Sequence, residues 1–168
     1  TSIPYQSGYD GSGIIVSIID TGIDLNHPDL EGKIIGGYDF VDNDDISEDT
    51  NGHGTEVAGI IASNGNLKGI APNSKILAYK VSEDGESVPS SLIIKAIEKS
   101  IDDGANIINI SLGINQTNTK IDKTVNKAIE NNIFVVTAAG NFGPELSTIG
   151  SPGINPNAIT VGATFNNI

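Results

Sequence analysis

Cysteine, methionine, tryptophan and arginine are all absent from the 168 residues, and aromatic side chains are few, four Tyr and four Phe. Without cysteine there is no disulfide framework, and the chain carries no mark of its redox compartment. Basic residues are scarce: nine lysines stand against 21 acidic residues, a formal charge of -12. Such a charge repels nucleic acid and anionic membrane at long range, so neither is expected as a partner, while solubility or cation binding fits. No apolar run approaches the roughly 20 residues needed to cross a bilayer, and the first residues lack the basic-then-apolar pattern of a secretory signal. A start at Thr1-Ser2-Ile3-Pro4 suits a mature domain whose leader has been removed, and equally a trimmed piece. Repeats, low-complexity segments and linkers are missing as well. Residues 1–168 are therefore read as one domain, long enough to hide roughly 70% of the unfolded surface.

What is present is an alternation. Short apolar runs at Ile14 to Ile19, Ile34 to Phe40, Lys75 to Val81, Ile107 to Ser111, Ile133 to Ala138 and Ala158 to Val161 read as strands. Stretches of helical period lie between them, at Gly54 to Ala62, Ser90 to Asp102 and Lys120 to Asn131. Continuous apolar strands belong to parallel sheets buried on both faces. In Ser90 to Asp102 the residues Leu92, Ile93, Ala96, Ile97 and Ile101 form one stripe, as a helix packed on such a sheet requires. Asp102-Asp103-Gly104 and Asn131-Asn132 supply stop signals. The expected fold is α/β, a doubly wound, mostly parallel sheet with helices on both faces. No glycine-rich phosphate loop follows the first strand, which argues against a nucleotide-binding version.

In such sheets chemistry gathers at the carboxyl ends of the strands. Asp20-Thr21-Gly22 follows the first strand, and a buried Asp there can accept a hydrogen bond from an imidazole and fix its tautomer; it can equally be a turn Asp. His53, between Gly52 and Gly54 at a helix start, suits proton transfer near neutral pH; a surface or capping histidine is the alternative. Asn141, after Ala138-Ala139-Gly140, can donate to an oxyanion or simply occupy a turn. Ser111-Leu112-Gly113 offers backbone groups to an extended peptide, or is an ordinary strand end.

In this order and spacing the four motifs resemble the subtilisin-like serine peptidases, over nearly the whole chain. The resemblance implies serine endopeptidase chemistry on a peptide or protein substrate, with Asp20 as orienter, His53 as general base and Asn141 as oxyanion donor. It implies substrate-binding roles for Ser111, Leu112 and Gly113, for Ala138, Ala139 and Gly140 as one pocket wall, for Gly150 as a deep pocket floor, and for Gly85 in an opposite edge strand, Gly85 to Ser87. It makes Ser151-Pro152 a candidate cis peptide. The family's nucleophile motif, Gly-Thr-Ser-Met-Ala, does not occur, and the match stops at Val161-Gly162-Ala163; Ser147 and Ser151 belong to the pocket segment. The chain is thus expected to be the N-terminal part of the catalytic domain, incomplete at its C-terminus and inactive alone. Its implied partners are the remaining part carrying the serine and a propeptide. A non-catalytic calcium- or peptide-binding module of the same shape is the rival reading.

The family often binds calcium, and the acidic segment Asp39 to Glu48 resembles one such loop, with Asp39, Asp44 and Glu48 supplying side chains. A solvated acidic loop is the alternative. A second family site would use Asp29 with the loop Asn64 to Lys68, which is short and carries a lysine. Glu56 replaces a second histidine common in the family, and an acid in the first helical turn favours the dipole. Extracellular action is the expectation from the family, in which intracellular members also exist.

Overall fold

The computed structural model of the chain describes residues 8–86 and 88–164. Six strands form one parallel sheet: β1 (Ile15–Asp20), β2 (Ile34–Asp39), β3 (Lys75–Lys80), β4 (Ile107–Ile110), β5 (Phe134–Ala138) and β6 (Ile159–Val161). Their order is β2-β3-β1-β4-β5-β6, which places β1 at the centre and reverses the winding direction beside it. Three helices, α1 (His53–Ala62), α2 (Ser90–Asp102) and α3 (Thr119–Glu130), and a 3-10 turn at Pro28–Leu30 complete the described elements.

The doubly wound expectation holds, and the central strands show why. Within β1, Val16 and Ile18 point to one face, where Ile76, Ala78, Ala58 and Ala62 join them under α1. Ile19 points to the other, into a larger core with Leu77, Tyr79, Ile108, Ile110 and the stripes of α2 and α3. Each fully buried isoleucine stabilises the fold by about 1.5–3 kcal/mol. Ser17 interrupts the apolar run without penalty, because its hydroxyl lies 2.6 Å from that of Ser100 on α2.

The helix ends follow their local chemistry. Asn118 caps α3 by accepting from the amides of Lys120 and Ile121. Gly104 and Asn132, each left-handed just past its helix, terminate α2 and α3 where the sequence placed the stops. Several boundaries differ by a residue, and α1 begins at His53 itself rather than at Gly54. Strand β4 ends at Ile110, so Ser111 is not part of the ladder.

Candidate active site

Asp20 is the last residue of the central strand and is wholly buried. Its Oδ1 accepts from the Thr21 amide at 2.8 Å and lies 2.7 Å from Nδ1 of His53. The two meet because α1 starts directly over the strand end. Gly54 makes this approach feasible: a Cβ there would stand 2.1 Å from the Gly22 carbonyl oxygen and 3.2 Å from Oδ1 of Asp20. The His53 side chain remains 46% exposed, against 1% for Asp20, so one ring nitrogen faces the carboxylate while the other edge is open. Burial pushes the Asp20 carboxyl up; the hydrogen bonds from His53 and Thr21 oppose this without cancelling it. Oδ2 of Asp20 has no hydrogen-bond partner among the described residues, which fits that direction.

His53 opens onto a groove of about 860 Å³ that gathers most of the residues singled out from sequence. Ser111, Leu112 and Gly113 form one side, Ala138, Ala139, Gly140 and Asn141 another, and Gly85 and Gly150 also line it. Ser111 to Gly113 leave the sheet as an unladdered extension of β4, available to meet an extended chain, and the Asn109 side-chain amide donates to Ser111 Oγ at 2.8 Å. Ser151-Pro152 is cis, as expected, and so is Gly143-Pro144, which nothing in the sequence had marked.

Three expectations change. Gly150 does border the groove, but a Cβ there would lie 1.9 Å from the Ile114 carbonyl oxygen. The glycine is required by the passing backbone, so pocket depth does not follow from it. The segment around Gly85 is a bend rather than an edge strand, and Ser87 lies outside the described residues.

The third change concerns calcium. Asp39 is buried, with Oδ1 accepting from the amides of Val41 and Asp42 and Oδ2 3.6 Å from Nζ of Lys80. Lys80 is itself buried; desolvation disfavours its charge, but Glu83, Asp39 and Asp42 outweigh this and hold the ammonium above the usual lysine range. Asp44 accepts from the Ile46 amide and Glu48 from the Leu25 amide. Asp29 is likewise committed, its two oxygens accepting from the amides of Asn66 and Leu67. Among the described residues no three acidic or histidine side chains come together as a ligand set. Asp39 is thus taken by Lys80 and two amides, whereas Asp44 and Glu48 each accept from one of the amides named and Asp29 from one at each oxygen, and the four do not gather into one ligand set among the described residues.

Sequence reasoning passed over Asp49, whose carboxylate touches both sides of the Asp20–His53 pair through Thr21 and Thr55. A signal existed: Asp49-Thr50-Asn51-Gly52 is a turn sequence ending on a left-handed glycine just before His53.

Residues 11–167 match the model of the Subtilase family. The chain belongs to that family. It is 44% identical over 174 residues to Minor extracellular protease Vpr of Bacillus subtilis (strain 168), covering 95% of this chain and 22% of that protein. It is 46% identical over 156 residues to the Thermophilic serine proteinase of Bacillus sp. (strain AK1), covering 90% of this chain and 38% of the relative. A solved cold adapted subtilisin-like serine proteinase superposes with a TM-score of 0.87 at 35% identity, over 98% of this chain and 59% of the other. The subtilase chain described here thus spans well under two thirds of the proteins it matches.

Proposed function

We propose that this subtilase chain carries the base half of a serine endopeptidase site, acting on a peptide or protein substrate. The 2.7 Å contact between His53 Nδ1 and the buried Asp20 carboxylate carries the reading. An ionised Asp20 keeps the proton on Nδ1, which leaves Nε2 unprotonated on the open edge of the ring. From there His53 takes the proton of an attacking hydroxyl and returns it to the leaving amine, and Asp20 stabilises the imidazolium between the two steps. Asn141, lining the same groove, donates to the oxyanion; in subtilisin itself such a donor is worth about 3 kcal/mol. The extended 111–113 segment and the 138–140 wall hold the substrate backbone.

The nucleophile comes from sequence outside these 168 residues. A feature of the sheet supports this. Helix α1 packs on β1 and β3, while Val16, Ile107 and Val136 on the same face line an apolar cavity of about 360 Å³ with Ile14, Ile60 and Ile70. Parallel sheets are covered on both faces, so an additional element belongs there, over the amino-terminal and middle parts of β1, β4 and β5. We place the serine-bearing segment on it and expect the 168 residues alone to be inactive. We further propose extracellular action and a propeptide in the longer protein. The acidic loop takes no part in the reaction.

The test is a fluorophosphonate probe with a peptide substrate. The chain alone stays unlabelled and shows no turnover above background, and the longer protein is labelled on one serine. His53→Ala in the longer protein abolishes labelling. Labelling of a serine within residues 1–168, or full labelling of His53→Ala, would overturn the proposal; labelling-free binding of peptide by the longer protein would favour the non-catalytic module.

A further inference from the structure

The Asp20–His53 pair is held by a carboxylate that neither the sequence motifs nor the family resemblance brought forward. Asp49 Oδ1 accepts from Thr21 Oγ1 at 2.9 Å, from the Asn51 amide at 3.0 Å and from the Gly52 amide at 2.9 Å. Its Oδ2 accepts from the Thr55 amide at 3.0 Å and the Thr55 hydroxyl at 2.6 Å. Five donors converge on one side chain. Thr21, the residue after Asp20, in turn accepts from the Gly54 amide at 3.0 Å, and Thr55 Oγ1 accepts from the Asp24 amide at 2.9 Å.

The arrangement solves a specific problem. Helix α1 has no capping side chain at its N-cap, Gly52, so its leading amides need acceptors from elsewhere. Thr21 and Asp49 supply them for Gly54 and Thr55. Thr21 sits on the loop that leaves β1 and Asp49 on the loop that enters α1, and the Thr21–Asp49 hydrogen bond joins them, so capping the helix and aligning His53 with Asp20 become one event. Burial raises the Asp49 carboxyl, but the Gly52, Thr55 and Asn51 donors outweigh it and hold it low, in its ionised form.

We propose that Asp49 is a positioning residue for the Asp20–His53 pair, clamping the start of α1 to the end of β1 through Thr21 and Thr55. It touches no substrate and acts only by fixing where the imidazole stands. This rests on reading the pair as the orienter and base of the proposed function.

The ¹⁵N shifts of the two His53 ring nitrogens at pH 8 report the tautomer and test the clamp. In the wild-type chain the Nδ1–H tautomer dominates. In Asp49→Asn, where the amide turns donors towards Thr55, and in Thr21→Val, which removes the bridging hydroxyl with little change of shape, that population falls below half as Nε2–H takes over. Asp10→Asn is the control: Asp10 accepts from the Ser12 amide and the Asn73 side chain far from the site, so its loss alters stability without moving the His53 tautomer. Should Asp49→Asn not fold, Thr21→Val decides. Wild-type tautomer populations in the folded variants would overturn the clamp and leave the pair intact. A dominant Nε2–H tautomer in the wild type would overturn the pair and the clamp together.

Discussion

A single methyl group on Gly54 should separate the pair that the fold brings together. Gly54→Ala puts a Cβ 2.1 Å from the Gly22 carbonyl oxygen, whereas real Cβ contacts essentially never fall below 3.0 Å, so the surfaces must part by about 0.9 Å. Gly22 has little room to give. Its φ is +103°, and the carbonyls of Ser47 and Glu48 lie 2.7 and 2.8 Å from where its own Cβ would stand. The helix start must move instead. If the shift falls along the Asp20–His53 line, the 2.7 Å contact opens to about 3.6 Å, beyond hydrogen-bonding reach. Overpacking of this kind costs about 1–3 kcal/mol. Gly59→Ala, in the same helix with nothing within 4 Å of a new Cβ, should instead gain about 1 kcal/mol from helix propensity. The two variants should therefore differ by about 3 kcal/mol, roughly 6–12 °C in Tm for a chain of this size. Thermal melting followed by circular dichroism measures this. In a catalytically complete protein a misplacement near 1 Å lowers kcat by up to about 10²-fold. A Gly54→Ala protein that melts with or above Gly59→Ala would refute the reasoning.

Other outcomes follow from the same geometry. Because the folded Asp20 carboxyl is raised, its protonated form is favoured by folding, and stability from this group is lost as pH rises through the folded value. Asp20→Asn should accordingly raise Tm at pH 7 relative to wild type, and the gap should close near pH 3; no gap at pH 7 would argue against a desolvated carboxylate. Tyr79→Phe removes the hydroxyl that donates to Asp103 Oδ2 at 2.5 Å and should cost about 1–2 kcal/mol in urea denaturation. Adding millimolar calcium to the chelator-treated chain should leave Tm within about 1 °C, since Lys80 and backbone amides already satisfy Asp39 and Asp29; a rise of several degrees would mean that these loops rearrange around the ion.

Much of the fold was legible because its signals are local. Ile14 to Ile19 reads as a strand buried on both faces from composition alone, and the stripe of α2 fixes which side of that helix meets the sheet. His53 and Asp20 were recognisable from their flanking residues. What escaped were matters of approach between distant segments. Nothing local reveals that Asp39 faces Lys80 across β2 and β3, since those residues lie 41 positions apart in sequence and meet only through strand register. The reason for Gly150 escaped likewise, because the obstructing Ile114 carbonyl belongs to a separate loop.

The sequence by itself determined the α/β class, the positions of the strands and the identity of the groups able to move a proton, since periodicity and side-chain chemistry are properties of contiguous residues. Only the tertiary structure decided that Asp20 and His53 stand 2.7 Å apart, that Asp49 hydrogen-bonds Thr21 beside them, and that Asp39 faces Lys80. Those facts depend on which backbone atoms of remote segments pass within 3 Å of one another, and packing the whole sheet is what sets that distance.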